Sequence, residues 1–144
     1  VMGPAYTRAA VERSGQEVGA FLEGAGILDD TPEAFAAFDW RLHQTLTVRS
    51  GNPVFTLILN GFAGFYERMA AIYFARPEAR ASSRTFYAAL RDAAGRGDGD
   101  RAEWVAREVM QESVRLWEEA GGPTQTAEQE TGRAPEQCGL RGSP

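Results

Sequence analysis

The chain has 144 residues, 43% hydrophobic and 24% charged, enough for one domain with one substantial core. Its formal charge of -5 excludes a grip on a phosphate backbone by this piece itself, since that needs a basic face to release counterions. All fifteen basic residues are Arg, scattered singly, a pattern of coding bias rather than of recognition. The single cysteine, Cys138, allows no intrachain disulfide and predicts a reducing, cytoplasmic setting. No run approaches the ~18 apolar residues of a membrane span, and Val1-Met2-Gly3-Pro4 is not a secretory leader. With Val1 in place of an initiator Met and a helical pattern that begins at once, we expect a part of a longer protein.

Helix punctuation predicts five segments. The first runs from Pro4 to about Glu23 and breaks at Gly24 and Gly26. Thr31 then caps a helix with Pro32 at its first position and Glu33 in its acidic first turn. Phe35, Phe38, Leu42 and Leu46 form its apolar stripe, and Gly51 ends it. Asn52-Pro53 restarts the pattern at once. From Val54 to Phe74 apolar residues cover more than one face, which predicts a single central helix.

Pro77 opens the fourth segment, with Phe86, Tyr87 and Leu90, and the 95–99 glycine run closes it. Asp100 is expected to cap the fifth, with Trp104, Val105, Val109, Leu116 and Trp117 inward, before Gly121-Gly122-Pro123 stops it. The remainder, rich in Gly, Pro, Gln and Glu, is expected to be disordered. Strand signals are absent. The fold class is therefore all-α, an antiparallel helical bundle over residues 1–120 with a disordered tail at 121–144.

Two constellations carry chemistry. Asp39 and His43, the only histidine, stand one turn apart on one helix face. They are the sole candidates for a metal site, but a stable site takes about three or four ligands, and none clearly inward completes it. A buried ion pair or hydrogen bond is the plainer reading. Tyr66, Tyr73, Tyr87, Ser113 and Trp117 combine apolar bodies with polar tips on three helices, which suits an apolar pocket with orienting hydrogen bonds or simply a core. His43 has no Ser or Cys nucleophile in a recognisable elbow, and no glycine-rich loop follows a strand. We expect no enzyme and no cofactor.

The stretches Phe38-Asp39-Trp40-Arg41-Leu42-His43, Ser50-Gly51-Asn52-Pro53, Leu57-Ile58-Leu59-Asn60-Gly61, Tyr73-Phe74-Ala75-Arg76-Pro77-Glu78-Ala79-Arg80 and Phe86-Tyr87 closely resemble the C-terminal domain of FadR regulators, the fatty-acid-responsive group of the GntR family. The likeness runs from about Tyr6 to Trp117. It implies a helical effector domain that binds long-chain acyl-CoA and is missing its first helix. An N-terminal winged helix, absent from this chain, would bind operator DNA in a homodimer, and the ligand would release that DNA. No membrane is implied.

Carried over residue by residue, Tyr66, Tyr73 and Tyr87 match pocket-lining tyrosines, while Ser113 and Trp117 match residues of the acyl-CoA response. The chain departs from the pattern at two positions: His43 stands where the group has an aromatic lining residue, and Met110 replaces a glycine. Two other readings stand beside this one. The first is a metal-assisted organic-acid sensor of the wider family, for which Tyr87 and Gln111 occupy two later histidine positions. The second is a ligand-free dimerisation bundle with a filled core.

Overall fold

The computed structural model describes residues 2–121, so the expectations of disorder over 121–144 and of the Cys138 environment fall, apart from Gly121, outside the described residues. Six α-helices follow one another: α1 (Met2–Leu22), α2 (Pro32–Arg49), α3 (Pro53–Gly61), α4 (Ala63–Tyr73), α5 (Pro77–Arg96) and α6 (Gly99–Glu119), with a 3-10 turn at Glu23–Ile27 after α1. No strand occurs among the described residues, and the all-α class holds.

Local chemistry explains most boundaries. Thr31 Oγ1 accepts from Ala34 N at 3.1 Å and Asn52 Oδ1 from Val54 N at 3.0 Å, so α2 and α3 both start on a side-chain cap followed by proline. Between them Gly51 takes φ +76°, with the Arg13 guanidinium where a Cβ would project. A side chain there would meet both a strained backbone and that group. At the start of α6 the cap is Asp98, which accepts from Arg101 N at 3.0 Å. Asp100 instead lies in the acidic first turn, where it favours the helix dipole. Trp104 also departs from expectation: it is 46% exposed, with the Arg101 guanidinium 4.5 Å from its ring centroid.

The largest difference lies at 54–74. The expected single helix is two, broken at Phe62 (φ -95°, ψ 1°), whose N–H bonds back to Leu59 O at 2.9 Å. Glycines on either side, Gly61 and Gly64, weaken helix propagation through this point. Nor is the segment central. Leu57 is 73% exposed, Phe65 54% and Phe62 51%, because α3 and α4 lie as an outer layer on α2. An all-round apolar helix signals burial only where neighbours surround it.

The true centre is built by α1, α2, α5 and α6. Val11, Val18, Phe35, Leu42, Leu46 and Leu90 are buried there together with alanines of α5 and α6. Each full burial of a Leu or Phe contributes ~1.5–3 kcal/mol. α1 bends at Ser14 (φ -146°, ψ 42°), which brings Gly15 so close to α5 that a Cβ would lie 2.5 Å from Ala94 O. Arg8 ties α1 to α6 through Asp100 and Glu103, each at 2.6 Å. Arg80 of α5 donates to Phe74 O at 2.7 Å and to Asp30 Oδ1 at 2.8 Å. It thereby satisfies a carbonyl at the α4 C-terminus and gives the Pro-Glu-Ala-Arg run a structural task.

Candidate functional site: a tyrosine-lined cleft over an Asp-His hub

On α2, Asp39 Oδ2 lies 3.3 Å from His43 Nε2. Tyr66 of α4 donates to Asp39 Oδ2 at 2.6 Å, and Tyr87 of α5 donates to Asp39 Oδ1 at 2.7 Å. On the other side of the imidazole, Tyr6 of α1 lies 2.6 Å from Nδ1. Its phenol donates to the neutral ring or accepts from the imidazolium, so the contact survives either state. The Asp39–His43 pair thus gathers four helices. The two features that the sequence suggested separately, the acid-histidine pair and the tyrosines, form one network.

Electrostatics follow from that crowding. Burial opposes ionisation of Asp39, but the His43 charge and hydrogen bonds from His43, Tyr66 and Tyr87 outweigh it, holding the carboxyl below its ordinary range. Burial likewise opposes the imidazolium, yet Asp39 raises His43 above the ordinary histidine value. Desolvation and then the Asp39 charge push Tyr66 and Tyr87 far up, so both phenols stay protonated donors.

Above the hub, between α4 and α6, opens a cleft of about 500 Å³, within the range of ~300–1,000 Å³ common for small-molecule sites. Tyr66, Tyr73, Ser113, Trp117, His43 and Asp39 all lie on its wall. Its apolar lining includes Met69, Phe86, Val109 and Val114; the sequence places Phe86 in the fourth segment and Val109 inward on the fifth, but assigns none of the four to a pocket. Met69 and Val109 sit on the same helix stripes as Tyr73 and Ser113, a signal that could have found them. Tyr87 is different: only 1% exposed, it stands behind the wall and reaches the cleft through Asp39.

Across the mouth, Tyr73 donates to Ser113 Oγ at 3.2 Å, and Ser113 donates onward to Val109 O at 2.6 Å. Both positions that depart from the FadR pattern, His43 and Met110, are lining residues. Among the described residues no three His, Cys, Asp or Glu side chains are grouped to hold a metal ion, and both nitrogens of His43 are engaged. No helix of the described residues is long and apolar enough to cross a membrane.

The family described as the FadR C-terminal domain matches residues 1–124. The chain belongs to the FadR C-terminal domain family. Among curated relatives of this FadR-type domain, the fatty acid metabolism regulator protein of Shewanella frigidimarina is 37% identical over 113 residues, 78% of this chain and 47% of the relative. The protein of the same description from Edwardsiella ictaluri is 36% identical over 112 residues, with the same two shares. That from Yersinia pestis is 34% identical over 125 residues, 85% of this chain and 52% of the relative. The chain therefore spans about half the length of these FadR-type relatives. They are described as regulators, in agreement with the reading of this domain as one without catalysis.

Proposed function

We propose that this domain senses long-chain fatty acyl-CoA in the α4–α6 cleft and thereby controls operator binding by the full-length regulator and the fatty-acid metabolism genes it governs. The observation that carries the reading is the cleft itself, a largely apolar slot whose polar groups are hydroxyls, an Asp-His pair, the Trp117 indole and the Glu118 carboxylate. Each buried methylene of an acyl chain contributes about 0.8 kcal/mol, so the slot supplies affinity while Tyr73 and Ser113 orient the thioester end. DNA is read by an N-terminal winged helix of the full-length homodimer; the acidic charge of this chain supports that division of labour.

Ligand entry has to favour one arrangement of α4 and α6 over another, because equal affinity for both shifts nothing. The Tyr73–Ser113 bond is the contact an incoming thioester competes with. Titration calorimetry with oleoyl-CoA tests the reading: saturable heat is expected, with binding weakened about tenfold or more in Trp117→Ala, equivalent to ~1.4 kcal/mol. In the full-length protein oleoyl-CoA is expected to release operator DNA. Absence of heat together with unchanged DNA binding overturns it.

A further inference from the structure

A second cavity of about 470 Å³ opens on the other side of α4, between that helix and the first half of α2. Its floor is aromatic: Trp40 and Tyr66 lie with ring centroids 4.9 Å apart and planes tilted by 39°. Its flanks are alanines, Ala36 and Ala37 on α2 facing Ala63 and Ala71 on α4. Two packed helices normally fill such a seam with larger side chains; here methyl groups leave it open, although the Tyr66–Asp39 bond holds the two helices together underneath.

Glu33 and Glu67 also line this cavity, and no arginine does. Among the described residues neither glutamate side chain has a hydrogen bond or an ion pair, a state shared with Glu17, Asp29, Glu108 and Glu118, whereas Glu12, Glu23, Asp30, Glu78, Asp92, Asp100, Glu103, Glu112 and Glu119 are paired with arginines. The residue four positions on from each glutamate, where a helix usually supplies a partner, is an alanine, Ala37 or Ala71. The acidic first turn of α2 accounts for Glu33 through the helix dipole, but no such reason applies to Glu67 in mid-α4. Aromatic faces carry negative potential, so floor and rim have the same sign.

We propose that the α2–α4 cavity binds a small organic cation, a guanidinium or ammonium on a short apolar stem. The stem lies along the alanine flanks, the cationic head sits over the Trp40 and Tyr66 rings, and the two glutamates neutralise it. The site is separate from the acyl-CoA cleft and does not depend on that reading. Tyr66 alone is shared, as the partition between the two cavities.

The test follows the indole N–H resonance of Trp40 in the intact chain during titration with n-butylguanidinium. A saturable shift is expected, with neutral 1-pentanol at least about tenfold weaker and hexanoate without effect. Glu33→Gln/Glu67→Gln, at two exposed positions, is expected to weaken butylguanidinium about tenfold or more while leaving oleoyl-CoA calorimetry unchanged. Ala71→Leu, which fills the cavity, should abolish the shift. Equal binding of pentanol, or no saturable shift in the unmodified chain, overturns the proposal whatever oleoyl-CoA does. N-acetylarginine methylamide binding more tightly than butylguanidinium would assign the cation to another protein's arginine and overturn the small-molecule assignment.

Discussion

The two sides of α2 are built differently. On one side α1, α5 and α6 meet through alanines, valines and leucines: Ala10, Leu42, Leu46, Leu90, Ala93 and Ala102 are completely buried. On the other, α3 and α4 form a thin layer whose outer apolar face is half exposed and whose inner face borders two cavities. The first side fixes positions and the second leaves space. A sensor needs both, because a ligand moves only elements that the core does not already hold.

The largest effect is expected where the two sides join. Asp39→Ala removes the acceptor of two phenols and of the His43 ring and leaves a neutral imidazole beside an apolar gap, so chemical denaturation should show a loss of about 3–5 kcal/mol. A loss no larger than that of an exposed-site variant would mean that the hub does not clamp the layers. Next, Leu90→Ala on the filled side should cost ~2–5 kcal/mol, against less than ~0.5 kcal/mol for Leu57→Ser on the open side. Two glycines sharpen the same contrast. Gly15→Ala should destabilise by ~1–3 kcal/mol because its Cβ meets the Ala94 carbonyl. Gly61→Ala, with nothing within 4 Å, should stabilise by up to ~1 kcal/mol.

The smallest effect is on pH. Burial opposes both charged forms of the pair, but His43 is raised by Asp39 and Asp39 is lowered chiefly by His43. The histidine contribution is fully present below its unfolded value and disappears as pH rises through its folded one. The Asp39 contribution is present above its unfolded value and disappears as pH falls through its folded one. Stability should therefore peak between the two, and in His43→Phe the alkaline shoulder of that peak should vanish when melting temperature is followed across pH.

Sequence periodicity and caps revealed α2, α5 and the Asn52 start of α3 because those signals are local. Thr31, Pro32 and Gly51 act within a few residues of themselves. The break at Phe62 and the exposure of Leu57 were not legible, since composition cannot say which face of an apolar helix lacks a neighbour. The acid-histidine pair could be read from its spacing, and Tyr66, Tyr73, Ser113 and Trp117 from their side-chain type and the FadR resemblance. That Tyr66 and Tyr87 converge on Asp39 is a long-range fact, the partners standing 27 and 48 positions apart. The glutamates over Trp40 were invisible for the same reason.

The break at Phe62 leaves α4 with its own start, without a side-chain cap, and with a C-terminal carbonyl held by Arg80 from the next helix. A helix so delimited can detach without unwinding its neighbours, as a separate cooperative unit of local opening. In hydrogen exchange the amides from Tyr66 to Tyr73 should exchange together, well before those of α1 and α5. Ligand bound in the cleft would slow that subset first.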